Sequence, residues 1–174
     1  PYLIRYNTST WATKTAPASP PTDLVNGISY SPSLAHFAVT QQTTPAVVVY
    51  DTTTLARVTL GFTPSGNGKC CAFSPDGAFL AVGSVSSFLT VYDTSTWNSV
   101  TITGGMPAGS PEKLAWSPDG SLLSVAHGTA PCLTVYNVAG WTKKSAPTGM
   151  YAGAMTGYAV SFSADSSLLA FGHT

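Results

Sequence analysis

Apolar and polar positions alternate along this chain in short bursts. Residues 71–73, 79–82 and 88–92 form three apolar runs rich in β-branched and aromatic side chains. Runs this short, bounded by turn residues, predict strands. Ser74, Pro75, Asp76 and Gly77 separate the first two runs. Pro presets φ, Asp can bond the backbone ahead and Gly accepts a positive φ, so a tight turn is expected there. A fourth, more polar strand is predicted at 99–103.

The unit recurs. Its turn serine falls at Ser31, Ser74, Ser117 and Ser163, in steps of 43, 43 and 46 residues. The Tyr-Asp or Tyr-Asn pair that closes the third run falls at Tyr6, Tyr50, Tyr92 and Tyr136, in steps of 44, 42 and 44. A period of roughly 40–45 residues with four strands per unit is the pattern of propeller blades. The fold class expected is therefore all-β: a β-propeller with four blades of four antiparallel strands per chain.

The Ser-Pro-Asp-Gly turn, the strand ending in Tyr-Asp and the Thr-Ser-Thr-Trp that follows (94–97) resemble the WD-repeat and YVTN-type β-propeller families. The likeness runs the length of the chain. It departs in two places: Tyr-Asp or Tyr-Asn replaces the family's Trp-Asp, and no Gly-His pair precedes a first strand. The family's buried Asp–His–Ser–Trp network is therefore not implied. The style is similar to bacterial and bacteriophage propellers, including tail-associated proteins, and implies a structural or binding module.

The predicted blades span 27–60, 70–103 and 113–146, with a fourth assembled from 158–174 plus 1–16. The chain starts within a repeat, which suggests a piece of something longer. Joining Thr174 to Pro1 restores the pattern seen at 43–51 and 128–137, so the two ends should complete one blade. Blades of this type favour rings of seven or eight. Two copies should then form an eight-bladed, strand-exchanged homodimer of the kind two-fold symmetry permits. A compact four-bladed monomer and the remainder of a longer chain are the alternatives.

Composition narrows the partners. Only 8% of the 174 residues are charged, against 44% hydrophobic, with formal net charge zero. This is about a third of the ordinary charged share and suits an extracellular, cell-surface or virion setting better than the cytoplasm. No basic stripe exists for a phosphate backbone, which argues against a nucleic-acid partner. No apolar run is long enough for a membrane-spanning helix. Cys70, Cys71 and Cys132 read as small core residues.

Inner strands are predicted at 28–30, 71–73, 114–116 and 159–162, where Tyr30, Phe73, Trp116 and Phe162 pack between blades. Outer strands are predicted at 13–16, 57–60, 99–103 and 142–146. Trp11, Leu55, Trp97 and Trp141 share one position after the Tyr-Asp turn and read as packing anchors. Asp51, Asp76, Asp93, Asp119 and Asp165 fall on turns. Binding is expected on the face of variable loops, with Met106, His127, Met150, Tyr151, Met155 and His173 as candidates. No metal, cofactor or catalytic residue is assigned. A glycan-binding propeller and an enzyme using Asp23, Glu112 or His127 are the competing readings, beside a scaffold for protein or ligand binding.

Overall fold

The computed structural model describes residues 2–147 and 156–174, and these contain twelve strands and no helix. The first sheet joins β1 (Val25–Tyr30), β2 (His36–Gln41) and β3 (Val47–Asp51). The second joins β4 (Gly68–Phe73), β5 (Phe79–Ser84) and β6 (Phe88–Asp93). The third joins β7 (Pro111–Trp116), β8 (Leu122–His127), β9 (Leu133–Asn137) and the two-residue β10 (Thr142–Lys143). A terminal hairpin pairs β11 (Gly157–Phe162) with β12 (Leu169–His173). All pairs are antiparallel.

The inner strands β1, β4, β7 and β11 lie side by side in that order. The sheets stack face to face through four apolar clusters. Phe73, Leu80 and Tyr92 pack on Ala38, Val47 and Val49. Leu114, Trp116, Leu123 and Tyr136 repeat this against Ala81, Leu89 and Val91. Val160 of the hairpin meets Ala126 and Leu133. At the other end Leu3 covers Phe37, Val39 and Val48, with the Arg5 guanidinium 5.1 Å above the Phe37 ring.

The outer strands are shorter than the sequence pattern predicts. Those at 13–16, 57–60 and 99–103 reduce to the single bridges Tyr6–Thr13, Tyr50–Arg57 and Tyr92–Ser99, and that at 142–146 to β10. After one bridge the backbone leaves its own sheet for the next. Gly61 N–H donates to Trp97 O (2.9 Å) and Gly104 N–H to Trp141 O (2.8 Å). A Cβ on Gly61 would lie 2.2 Å from Asn98 Oδ1, and on Gly104 2.4 Å from Lys143 N. At Gly104 the clash is with backbone, so only glycine permits that approach; at Gly61 it is with the tip of the Asn98 side chain, which can move aside. The inner strands, by contrast, begin up to three residues early. Each carries a β-bulge at its start, at Asn26, Lys69, Glu112 and Tyr158.

The turn serine is a hydrogen-bonded bracket, buried at Ser31, Ser74 and Ser117. Ser74 N–H donates to Phe79 O while its hydroxyl accepts from Phe79 N–H (2.9 Å each) and donates to Asp76. Ser117 does the same with Leu122 and Asp119, and Ser163 with Leu168 and Asp165. Gly77 and Gly120 complete these turns at φ 74° and 73°, but Leu34 and Ser166 hold the same left-handed position at 58° and 63°. Thr94 then ties the two turn types together by donating to Gly77 O and Ala78 O.

Two substitutions probe these turns. Replacing the exposed Leu34 by glycine removes left-handed strain of about 1–2 kcal/mol, partly offset by the freer unfolded chain. Chemical denaturation should show Leu34→Gly to be more stable by about 0.5–1 kcal/mol. Ser117→Ala leaves the Leu122 N–H without its acceptor and takes a donor from Asp119, and should cost about 1–3 kcal/mol; an unchanged midpoint would contradict the bracket.

Candidate interaction surfaces

Equivalent side chains have different surroundings at the two ends of the stack. Tyr50, Tyr92 and Tyr136 are fully buried, and each hydroxyl donates at 2.8 Å to a backbone carbonyl of the preceding connection: Ser19, Phe62 and Gly105. Burial pushes all three phenols above their ordinary pKa. Tyr6, the fourth of the set, is 51% exposed, as are Ile4 and Tyr2 on the same side of the extended segment. Trp141 is 6% exposed, edge-on to Phe79 (5.3 Å) and Trp116 (6.1 Å), and Trp97 sits 5.0 Å from His36 of the preceding sheet. Trp11 shares their left-handed backbone, at φ 55°, but is 74% exposed.

The opposite end presents two adjoining cavities on the third sheet. One, of about 200 Å³, is lined by Pro131, Leu133, Val135 and the 143–147 segment. The other, of about 190 Å³, is lined by Leu122, Val135, Phe162, Leu168 and Leu169. Val135, Lys144, Ser145 and Pro147 border both. Leu168 beside them is 70% exposed.

On the axial side the bulges make a polar row. Asn26 Nδ2 donates to Asn67 Oδ1 (2.9 Å) and Gly68 O (2.8 Å), and Lys69 pairs with Glu112 at 3.3 Å. Asn26, Lys69 and Glu112 border a cavity of about 250 Å³. The pair is half-exposed and worth little beyond local order.

The residues singled out on the variable-loop face are scattered. Met106 is exposed, and its carbonyl accepts from Lys143 Nζ. His173 is exposed on β12, its ring tilted against Phe171. His127 is buried, with Nε2 2.9 Å from Thr134 Oγ1. Its Nδ1 makes no regular hydrogen bond, though the Thr129 main chain offsets part of the burial cost. Gln41 and Ser84 occupy the same position and brace the same loop, through Pro45 O and Ser87 N. Met150, Tyr151 and Met155 lie outside the described residues.

Asp23 bonds the adjacent Leu24 N–H, and Glu112 is engaged by Lys69. The turn carboxylates are held below their usual pKa. Asp76 and Asp119 owe this first to Ser74 and Ser117, Asp93 to Ser95 and Asp51 to the Thr54 N–H, while Ser163 takes Asp165 down to about 2. Burial pushes the Cys70 thiol up to about 12 and raises that of Cys71 as well. No group of three metal-ligating side chains occurs among the described residues. The exposed row Tyr2, Ile4 and Tyr6 went unnoticed in the sequence. Comparing it with its buried equivalents was the available signal.

Residues 59–93 match the family model described as WD domain, G-beta repeat, and the match ends on Tyr92-Asp93. No curated protein matches the chain in sequence. Among solved structures, Kuenenia stuttgartiensis hydrazine synthase superposes with a TM-score of 0.69 at 22% identity, over 95% of this chain and 44% of that one. The chain thus spans less than half of that relative's length. With 949 solved chains matching, likeness at this identity shows the propeller-like fold alone.

The buried His127 sets a pH dependence. Burial, its largest cause, lowers the folded pKa below the ordinary 6.5. The unfolded chain therefore binds the proton more tightly, so the stabilisation is complete above 6.5 and is lost as pH falls towards the folded value. Denaturation midpoints should decline over that window, and His127→Gln, which installs the Gln41 solution, should flatten the slope.

Proposed function

We propose that this WD-repeat β-propeller chain is a non-catalytic scaffold for protein–protein interaction whose first partner is a second copy of itself. The contrast between buried Tyr50, Tyr92, Tyr136 and Trp141 and exposed Tyr6 and Trp11 carries this reading. Large apolar side chains gain about 1.5–3 kcal/mol each when fully buried. A chain that buries a position three times and leaves it open once is built to have that place covered.

Four repeats make half of an eight-bladed ring, and two copies related by a two-fold axis complete it. The closed ring removes free sheet edges that would otherwise recruit strands at random. Its faces then present the variable loops, including the one bearing Met106, to further proteins of a virion or cell-surface assembly. The sparse charge and the Ser/Thr-rich turns favour that setting.

Light scattering on a sizing column across a dilution series tests this. Two chains of 17.9 kDa per particle, stable to dilution, are expected. A particle of one chain would show that closure comes from within the chain or from further repeats, and would overturn self-assembly.

A further inference from the structure

Resting on that self-assembly reading, we infer a definite seam. Residues 2–6 of a second copy extend the terminal hairpin as its third strand, and that copy's Trp11 fills the cavity at Leu122 and Phe162.

The register follows from the complete sheets. Phe37, Leu80 and Leu123 on the second strands lie opposite Tyr50, Tyr92 and Tyr136, and opposite Tyr30, Phe73 and Trp116 on the other side. In the hairpin the residue opposite Phe162 is Leu169. Leu169 therefore faces the partner's Tyr6, Ala170 its Arg5 and Phe171 its Ile4. Among the described residues no strand pairs with the far edge of β12. In this register Tyr6 and Ile4 turn towards Leu133 and Val135, as Tyr92 turns towards Val47 and Val49.

The tryptophan is placed by the same translation. Trp141 packs against Phe79 and Trp116. One sheet further on, their equivalents are Leu122 and Phe162, and between them lies the cavity of about 190 Å³. Trp11 is the equivalent of Trp141 and has the same backbone conformation. The cavity and the exposed indole are thus the two halves of a contact that the third sheet already makes with the second.

A third match lies beside the axis. Phe73 N–H donates to Ser29 Oγ at 3.1 Å across the first two sheets, and Phe73 is 8% exposed. Its equivalent Tyr30 is 45% exposed and Ile28 50%. Ser161 precedes Phe162 as Ser29 precedes Tyr30, and Ser161, Ala170 and Gly172 line a shallow open hollow together with Val160 and Phe171. The partner's Tyr30 and Ile28 fit over it, with Tyr30 N–H donating to Ser161 Oγ. Two-fold symmetry makes each chain give and receive all three contacts.

Cross-linking tests the register. Chains carrying Arg5→Cys and chains carrying Ala170→Cys are co-expressed, with Arg5→Cys plus Gly172→Cys as the control two residues out of register. Mild oxidation should give a two-chain band for the first mixture at least tenfold stronger than for the control or for either variant alone. Trp11→Ala should raise the dissociation constant at least 100-fold, because central buried tryptophans dominate interfaces. Trp11 is exposed on the single chain, so far-UV spectra should be unchanged. Leu122→Trp, which plugs the cavity, should have the same effect. A two-chain particle without in-register cross-links, or one indifferent to Trp11→Ala, overturns this seam but leaves self-assembly through another face standing. A one-chain particle in the unsubstituted protein overturns both.

Discussion

No sheet in this chain can bury its own two faces. The central strands β2, β5 and β8 are buried along almost their whole length, on both sides, and three or four short strands offer nothing thicker than one layer. Each sheet must therefore be covered on the left and on the right by another. Stacking satisfies that demand for the first, second and third sheets, and defers it at the two ends. The repeated aromatic positions follow from it: Tyr50, Tyr92 and Tyr136 seal one face while Phe73 and Trp116 wedge into the neighbour.

The same demand explains where the few charges go. A stack of thin sheets needs sharp turns at constant spacing, and here Asp51, Asp76, Asp93, Asp119 and Asp165 accept backbone and hydroxyl hydrogens at those turns. Their depressed pKa values report that structural engagement rather than catalytic poise. The Ser–Asp bracket works at these same turns. It fastens the start of the second strand locally, so the tyrosine hydroxyl is left to reach across to the connection from the previous sheet.

Under the proposed function, self-assembly and the scaffold role are two aspects of one economy. The apolar surface left at the ends is the same surface that repeats elsewhere in the interior, so one set of side-chain shapes serves folding and association alike. The variable connections are anchored through the backbone carbonyls of Ser19, Phe62 and Gly105, which places little demand on the identity of the side chains there. The neighbour of known structure has the same architecture at 22% identity, which fits a frame whose packing rules tolerate wide substitution.

Much of this was legible beforehand. The spacing of Ser31, Ser74, Ser117 and Ser163, and of the tyrosines, depends on turn chemistry and strand length, which are local and therefore written in sequence order. The all-β class and the antiparallel order of first, second and third strands within each sheet followed. The outer strands did not, because their shortness is imposed by the adjacent sheet, to which Gly61 and Gly104 are drawn. Nor did the fate of His127 and Trp11. One histidine beside a loop looks like another, and Trp11 looks like Trp141. What separates them is whether a neighbouring sheet lies over the position, and coverage is a property of the stacked chain in space, not of the residue or its place in the repeat.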